Sequence, residues 1–293
     1  MRSSPRIVLR SLVLLAIATL LPSCFGQASS PAGKSATDFP PLLQWKSAVV
    51  SGNTVALKAL YSTSPPAQVA TPAGPSDTDT DAAFWVGLKA HHIKLDIIKS
   101  DSPQPGTRQI VFQAEVQPRK AGEHIVYITE GQLWQQQGEQ WRLMAVKRSD
   151  PTRLQQPASK DKVIYTPGID AHTEVQEAVA LASKERKRVL VVFGANWCYD
   201  CHVLDSAFHR SDIEPVLRKN YEVIHVDVGE GDKNQDLMQQ YQVPMKKGIP
   251  AIAVLDSDGK LLYSQQGGEF EKARALSPED VLAFLNKWKP SSH

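Results

Sequence analysis

Cysteine is scarce in this chain of 293 residues, which contains only Cys24, Cys198 and Cys201. Three cysteines allow at most one internal disulfide, so a small domain held together by several disulfides is excluded. Excess charge is also scarce. The formal net charge is +2 without a basic stripe, which argues against a nucleic-acid-binding protein. With 42% hydrophobic and 22% charged residues, the composition is that of soluble globular domains, and the length suffices for about two.

The N-terminal hydrophobic run, at residues 11–21, is too short to cross a membrane as a helix, which needs about 20 apolar residues. It follows three arginines within residues 1–10 and precedes small residues, a pattern typical of secretory signals. We therefore predict a signal peptide at residues 1–23 rather than a buried core helix, and a periplasmic or other extracytoplasmic location.

Two cleavage sites are plausible near Cys24. The segment Leu21-Pro22-Ser23-Cys24 resembles a bacterial lipobox, although Pro22 is unusual there. This resemblance implies lipidation of Cys24 and a membrane anchor. Ordinary cleavage after Ala28 is the alternative. Both readings place the protein where cysteine pairs can be oxidised.

Composition divides the rest of the chain into two domains. Residues 24–37 are predicted to form a tether and residues 149–162, which are polar with two prolines, to form a linker. The first domain is expected at residues 38–148 and the second at residues 163–293.

The first domain is predicted to have helices followed by a sheet. Apolar residues at helical spacing predict helices at the start of this domain and at residues 81–90. Residues 62–80 are predicted to be a mobile loop. Strands are predicted at residues 92–98, 109–117, 123–130 and 140–147, and turns at residues 103–106, 118–122 and 131–138. This order indicates an α+β domain. Together with the closing segment WQQQGEQWRLMAVKR, it resembles nuclear-transport-factor-2-like (SnoaL-like) domains, which implies a curved, cone-like sheet, a pocket between sheet and helices, and a binding or dimerisation role.

The second domain alternates buried strands with amphipathic helices. The predicted strands are 188–194, 221–228, 249–255 and 260–265, and the predicted helices include 173–184, 198–210 and 236–241. Ser211-x-x-Glu214 predicts a capping box at the start of another helix, and Ser277-Pro278 predicts the start of the last one. The alternation indicates an α/β domain.

Two motifs of the α/β domain carry a family resemblance. One is Phe-Gly-Ala-Asn-Trp-Cys-Tyr-Asp-Cys at residues 193–201, after a predicted buried strand, and the other is Gly248-Ile249-Pro250. They resemble the active-site segment and the cis-proline loop of thioredoxin-like proteins, in particular the thioredoxin-like domain of the bacterial transmembrane thiol–disulfide interchange reductase. The resemblance implies a thioredoxin fold and thiol–disulfide exchange.

The spacing of Cys198 and Cys201 fits this chemistry. Two cysteines three apart at a helix start can bridge, and the free N–H groups and positive dipole end of the helix stabilise a thiolate on Cys198. We expect Cys198 to attack a substrate disulfide and Cys201 to resolve the mixed disulfide. The resemblance implies that Trp197, Ile249 and Pro250 bind the substrate chain.

Two features depart from the family pattern. The buried aspartate six residues before the first cysteine, which assists proton transfer, is replaced by Val192, so we expect water or Asp200 in this role. A carboxylate at Asp200 opposes the thiolate, whereas His202 and the helix dipole favour it. Tyr199, Asp200 and His202 are therefore candidate modulating residues, and we expect a reductant or isomerase rather than a strong oxidant.

Other interpretations of the cysteines remain open. Cys198-x-x-Cys201-His202 matches the attachment pattern of c-type haem. A zinc site would need four ligands, and we expect no metal. The cysteines could also be structural, in an adaptor protein whose first domain binds a ligand or partner. The favoured interpretation requires no cofactor beyond the redox-active disulfide. Its expected partners are cysteine-containing substrate proteins and a membrane or periplasmic electron donor.

Overall fold

The computed structural model describes residues 39–120, 122–244 and 246–291. The predicted signal peptide, the lipidation of Cys24 and the whole predicted tether therefore lie outside the described residues. Within the described ranges, no helix is long and apolar enough to cross a membrane. The described strands form one six-stranded and one four-stranded sheet.

The six-stranded sheet and three helices form the N-terminal domain. The helices are α1 (Pro40–Ser51), α2 (Thr54–Lys58) and α3 (Thr78–Gly87), and the strands are β1 (Gln68–Thr71), β2 (Gly74–Ser76), β3 (Ala90–Asp101), β4 (Thr107–Pro118), β5 (Val126–Gln137) and β6 (Gln140–Arg148). The strand order is β2-β1-β6-β5-β4-β3. The long strands β3 to β6 pair antiparallel, and β1 pairs parallel to β6. Register shifts in the β3–β4 and β5–β6 pairs are the irregularities that bend a sheet.

The space between this sheet and its helices is filled by aromatic side chains. Trp45, Trp85, Phe112 and Trp134 are fully buried there, and the rings of Trp45 and Trp85 meet edge to face at 4.7 Å. Burial of such large side chains is the main stabilising contribution in a domain core.

A groove of this domain lies on the face of the sheet opposite the helices, whereas the resemblance implied a pocket between sheet and helices. Side chains alternate between the two faces of a strand, so Ile110 and Phe112 of β4 enter the core while Gln109 and Val111 line the groove. The groove has a volume of about 1280 Å³, and the β1–β2 hairpin contributes to its wall. This groove is a feature of the domain that the resemblance did not predict.

The N-terminal core also contains buried polar groups that satisfy one another. Asp81 is fully buried; it accepts a hydrogen bond of 2.6 Å from the hydroxyl of Tyr61 and pairs with Arg148 at 3.0 Å. Glu130 is also fully buried and accepts hydrogen bonds from the Trp85 indole and from another side-chain amide. Such closed pairing is the arrangement in which buried polar groups are tolerated.

Two predictions for this domain were wrong. The predicted loop 62–80 contains β1, β2 and the start of α3, and the predicted turn 131–138 is the second half of β5. Residues 131–137 pair with β6, and residues 131–135 also pair with β4, so the turn shrinks to residues 138–139. Glycine has a low strand propensity, and the pairing outweighs it.

Residues 149–162 contain no helix or strand, yet they pack closely. Thr152 forms two backbone hydrogen bonds with Tyr127 of β5, at 2.8 and 2.9 Å. Leu154 is fully buried in a core cluster of the C-terminal domain. The side chain of Gln113 on β4 donates to the Gln156 carbonyl at 2.9 Å. This segment is therefore packed against both domains.

The C-terminal domain has a four-stranded sheet with helices. The helices are α4 (Ala171–Glu185), α5 (Tyr199–Phe208), α6 (Glu214–Asn220), α7 (Gln235–Gln240) and α8 (Pro278–Trp288), and the strands are β7 (Arg188–Gly194), β8 (Tyr221–Asp227), β9 (Ala251–Leu255) and β10 (Leu261–Ser264). The strand order is β10-β9-β7-β8, in which β7 is parallel to β8 and antiparallel to β9. Strand β7 is central, and its side chains enter core clusters on both faces, as its apolar run predicted.

The helix starts of this domain test two predictions. Ser277 caps α8, and its side chain and that of Asp280 form a capping box, which confirms that prediction. The predicted capping box at Ser211 was wrong, because α6 begins after Ile213 without a side-chain cap. A capping motif in sequence does not fix the φ and ψ angles that the N-cap residue needs.

Candidate active site

The two cysteines lie at the junction between β7 and α5. Strand β7 ends at Gly194, and Cys198 is the N-cap residue of α5, so its side chain lies at the helix start. Cys198 and Cys201 are joined by a disulfide and are 5% and 2% exposed. The pair is therefore shielded, with Cys198 the more accessible sulfur.

The start of α5 provides a backbone hydrogen-bond donor to Cys198. The backbone N–H of Cys201 donates to Sγ of Cys198 at 3.2 Å. This is the contact that an N-cap side chain makes, and it would strengthen if the sulfur carried a negative charge. The positive end of the helix dipole acts in the same direction. The geometry therefore favours a thiolate on Cys198 after reduction.

The loop before β9 faces this sulfur. The Ile249–Pro250 peptide bond is cis, and the Ile249 carbonyl oxygen lies 3.5 Å from Sγ of Cys198. The structure thus brings two of the three predicted substrate-binding residues to the cysteines. The third, Trp197, precedes Cys198; its indole is 49% exposed and donates to the Gly229 carbonyl at 3.0 Å.

The predicted modulating residue Asp200 is held by an arginine that the sequence did not indicate. The Asp200 carboxylate accepts hydrogen bonds from the backbone N–H and the guanidinium of Arg274, at 2.9 and 3.0 Å. The same guanidinium lies over the Tyr199 ring at 5.0 Å. Arg274 therefore offsets the negative charge of Asp200 and occupies the carboxylate that was expected to transfer protons.

His202 is buried beneath the active-site loop. It is 2% exposed, and its Nε2–H donates to the Asn196 carbonyl at 2.7 Å. Because a carbonyl only accepts hydrogen bonds, Nε2 carries a proton. The contact ties the first turn of α5 to the loop before it, so His202 fixes the shape of the loop.

Two further residues at the site were missed by sequence reasoning. Asn196 accepts hydrogen bonds from the backbone N–H groups of Ile164 and Tyr165, at 2.9 and 3.0 Å. It thereby fastens residues 164–165 to the active-site loop. The Tyr165 side chain packs in one cluster with Cys198 and Cys201. Asn196 lies within the motif of residues 193–201, but its contact with residues 164–165 depends on packing, and Tyr165 belongs to no motif that could have indicated it.

Charged side chains close to the pair are matched by lysines. Asp205 of α5 is paired with Lys162 at 2.5 Å, and Asp227 of β8 with Lys233 at 2.8 Å. Burial lowers the pKa of His225 on β8. Among the described residues, no group of three or more His, Cys, Asp or Glu side chains could hold a metal ion.

Comparisons with known proteins agree with this arrangement. A family model described as thioredoxin-like matches residues 170–257. A thiol:disulfide interchange protein, DsbD 2 of Pseudomonas aeruginosa, is 26% identical over 152 residues, which are 51% of this chain and 23% of that protein. The chain thus spans about a quarter of the length of this curated relative.

Solved structures are similar to each half. A disulphide isomerase from Xylella fastidiosa is 39% identical, with a TM-score of 0.42, over 43% of this chain and 97% of that chain. A nuclear-transport-factor-2-like protein of unknown function from Shewanella oneidensis is 13% identical, with a TM-score of 0.33, over 38% of this chain and 94% of that chain.

The C-terminal domain belongs to the thioredoxin-like family. The predicted two-domain architecture is confirmed, with an α+β domain before the thioredoxin-like domain. The similarity to an interchange protein supports the general class of thiol–disulfide oxidoreductases.

Proposed function

We propose that the protein is an extracytoplasmic thiol–disulfide oxidoreductase that uses the Cys198–Cys201 pair and acts as a reductant or isomerase. The observation that carries the proposal is the position of Cys198. It caps a helix, accepts an N–H bond from Cys201, and faces the cis Ile249–Pro250 bond. The pair is thus set against a backbone edge that can hold an extended chain.

The proposed reaction proceeds in two exchange steps. The Cys198 thiolate attacks a substrate disulfide, forms a mixed disulfide, and releases one substrate sulfur, which takes up a proton. Cys201 then loses its proton and attacks Sγ of Cys198, and the second substrate sulfur leaves with the electron pair and a proton. The enzyme dithiol loses two electrons and the substrate disulfide gains them, so the redox-active disulfide is the only cofactor required.

The charges near the thiolate support the proposed direction of electron flow. Asp200 in the first turn of α5 opposes a thiolate, which favours the disulfide and makes the dithiol a better reductant. Arg274 weakens this effect without removing it, because its guanidinium is half exposed and screened by water. A reductant needs an electron donor, and the N-terminal sequence pattern supports a membrane or periplasmic one. Lipidation of Cys24 would hold the protein at a membrane, and substrates are expected to be cysteine-containing proteins.

The reduction potential of the pair tests this proposal. Protein lacking residues 1–23 is equilibrated with dithiothreitol or glutathione buffers, and the free thiols are counted. A potential of about −270 mV is expected, whereas a value of about −120 mV would indicate an oxidant.

Cys198→Ser should abolish reduction of insulin with a dithiol donor, and Cys201→Ser should accumulate mixed disulfides with envelope proteins. Persistent insulin reduction by Cys198→Ser would contradict the proposal.

An adaptor function is the second candidate, and the groove on the N-terminal sheet favours it. At about 1280 Å³, the groove is larger than typical small-molecule sites of roughly 300–1,000 Å³. A pair that does not titrate reversibly would support this candidate.

The haem interpretation has less support. It requires His202 as an iron ligand, and this imidazole is buried with Nε2 bound to a carbonyl.

A further inference from the structure

The hydroxyl group of Tyr165 is buried beside the cysteine pair and has no hydrogen-bond partner within the part of the chain that the structure describes. Its oxygen and Sγ of Cys201 converge on Gly194, where an added β-carbon would lie 2.1 Å from the oxygen and 2.7 Å from the sulfur. The two atoms are therefore neighbours. A buried hydroxyl without a partner destabilises a protein, and phenylalanine would fill the same space without this cost.

The surroundings keep this hydroxyl protonated. Burial raises the pKa of Tyr165, and the charges of Asp205 and Asp227 raise it further. The His225 ring meets the Tyr165 ring edge-on, with 5.4 Å between centroids, and burial lowers the pKa of His225, so the imidazole stays neutral. The charged and titratable groups around Tyr165 are Asp205 on α5 with its partners Lys162 and His209, His225 and Asp227 on β8, and the two cysteines. The hydroxyl can therefore donate a proton in a hydrogen bond, but it cannot act as a base.

The sulfur of Cys201 changes as an acceptor with its redox state. In a disulfide the sulfur is a weak acceptor, whereas a thiolate forms a strong, charge-assisted hydrogen bond. The oxidised pair thus leaves the Tyr165 hydroxyl without a partner, and a Cys201 thiolate would provide one at the same place. The backbone N–H of Cys201 donates to Cys198 instead, so it does not serve the second sulfur.

We propose that the Tyr165 hydroxyl donates a hydrogen bond to the Cys201 thiolate and thereby promotes the resolving step of the exchange reaction. This inference rests on the function proposed above. In that step the Cys201 thiol loses its proton to solvent, and its thiolate forms a bond with Sγ of Cys198. The bond between Cys198 and the substrate sulfur breaks, and that sulfur leaves with the electron pair and takes up a proton. No further reactant is required.

Two tyrosine variants separate this role from simple packing. Tyr165→Phe removes the hydroxyl without a partner, whereas the control Tyr221→Phe removes a buried hydroxyl that donates to the Leu285 carbonyl at 2.6 Å. Because Tyr165→Phe loses no hydrogen bond in the oxidised protein, we expect its oxidised form to unfold at an equal or higher temperature than the wild type. Tyr221→Phe should unfold at a lower temperature.

The redox measurements should show the opposite ranking. Reduced protein is mixed with glutathione disulfide, and the glutathione mixed disulfide on Cys198 is followed by acid quenching and mass spectrometry. Tyr165→Phe should slow its decay about tenfold at neutral pH and shift the pH profile of the decay upward. It should also make the pair three- to tenfold more reducing in equilibrium with glutathione, where tenfold corresponds to about 30 mV. Tyr221→Phe should change neither quantity.

Three outcomes would overturn the inference. If the wild type titrates and Tyr165→Phe has the same potential and decay rate, the hydroxyl does not act on Cys201 while the proposed function stands. If Tyr221→Phe produces an equal shift, the effect is a general consequence of losing a buried hydroxyl. If the wild-type pair does not titrate reversibly, the proposed function fails together with this inference.

Discussion

Two buried tyrosines, one in each domain, differ in the surroundings of their hydroxyl groups. Burial raises the pKa of both Tyr61 and Tyr165. The Tyr61 hydroxyl donates to Asp81 at 2.6 Å, and Asp81 is in turn paired with Arg148. Among the described residues, the Tyr165 hydroxyl has no hydrogen-bond partner, and it lies beside Cys201. The Tyr61 hydroxyl therefore belongs to a paired network, whereas the Tyr165 hydroxyl remains a free donor beside a sulfur that changes charge.

The difference indicates where each domain can tolerate a change of charge. A closed network gives a core a unique arrangement but makes every member necessary. A hydrogen-bond donor without a partner destabilises the oxidised form of the protein and is satisfied in the reduced form. This suits a site that alternates between disulfide and thiolate. The N-terminal network is thus expected to affect stability alone, and the Tyr165 cluster to affect redox chemistry.

The largest expected effect comes from opening the N-terminal network. Arg148→Met leaves the Asp81 carboxylate buried with only the Tyr61 hydroxyl, and breaking a buried ion pair costs about 3–5 kcal/mol. The free energy of unfolding, measured with urea by tryptophan fluorescence, should fall by this amount. The control Lys94→Met removes an exposed pair with Asp96 and should change it by less than about 0.5 kcal/mol. A changed reduction potential in Arg148→Met would show that the domains are coupled. It would contradict the expectation that the N-terminal network affects stability alone.

The second prediction concerns the pH dependence of the same network. Burial raises the pKa of Glu130 from 4.5 to about 8, and the neighbouring Asp81 charge adds to this shift. Between pH 4.5 and about 8, Glu130 is therefore protonated in the native state and ionised in the unfolded state. This stabilisation is complete below pH 4.5 and is lost as pH rises through about 8, at up to about 1.4 kcal/mol per pH unit. Glu130→Gln, which mimics the protonated carboxyl group, should flatten the pH profile of urea unfolding; an unchanged profile would mean that Glu130 is ionised in the native core.

The sequence predicted the redox site in outline because its motifs are local. Cys198, Cys201 and the Ile249–Pro250 loop each lie in a short segment next to a strand, and the strand pattern places them together. Arg274 and Tyr165 reach the site from distant parts of the chain, and their positions depend on packing that no short segment encodes. The same reason explains β5, where pairing on both edges of residues 131–135 outweighs the weak strand propensity of glycine.

The third prediction compares one strand glycine from each domain. An alanine at Gly194 would place its β-carbon 2.1 Å from the Tyr165 oxygen, whereas at Gly131 of β5 the nearest atom, on Val111, is 3.7 Å away. Gly194→Ala should therefore cost roughly 1–3 kcal/mol through overpacking, and Gly131→Ala less than about 0.5 kcal/mol. Thermal unfolding of both variants measures the difference. Equal effects would mean that the space around Tyr165 is not tightly filled.

The smallest expected effect tests the charges at the start of α5. Asp200→Asn leaves the Arg274 cation without its partner near Cys198, so it should favour the thiolate and make the pair a weaker reductant. Arg274→Gln leaves the Asp200 carboxylate uncompensated and should act in the opposite direction. Because the guanidinium is about half exposed, screening by water limits each change to roughly three- to tenfold in the equilibrium with glutathione.

The ion-pair variants also separate the two influences on the sulfurs. The charges of Asp200 and Arg274 act at the helix start that holds Cys198, whereas the Tyr165 hydroxyl lies beside Cys201. The pH at which Cys198 reacts with iodoacetamide should fall in Asp200→Asn, rise in Arg274→Gln, and stay unchanged in Tyr165→Phe. Shifts of the same sign in Asp200→Asn and Arg274→Gln would show that the pair acts by holding the loop in place and not by its charge. The start of α5 would then resemble the N-terminal network, in which paired groups maintain structure, and only the Tyr165 cluster would distinguish the redox site from it.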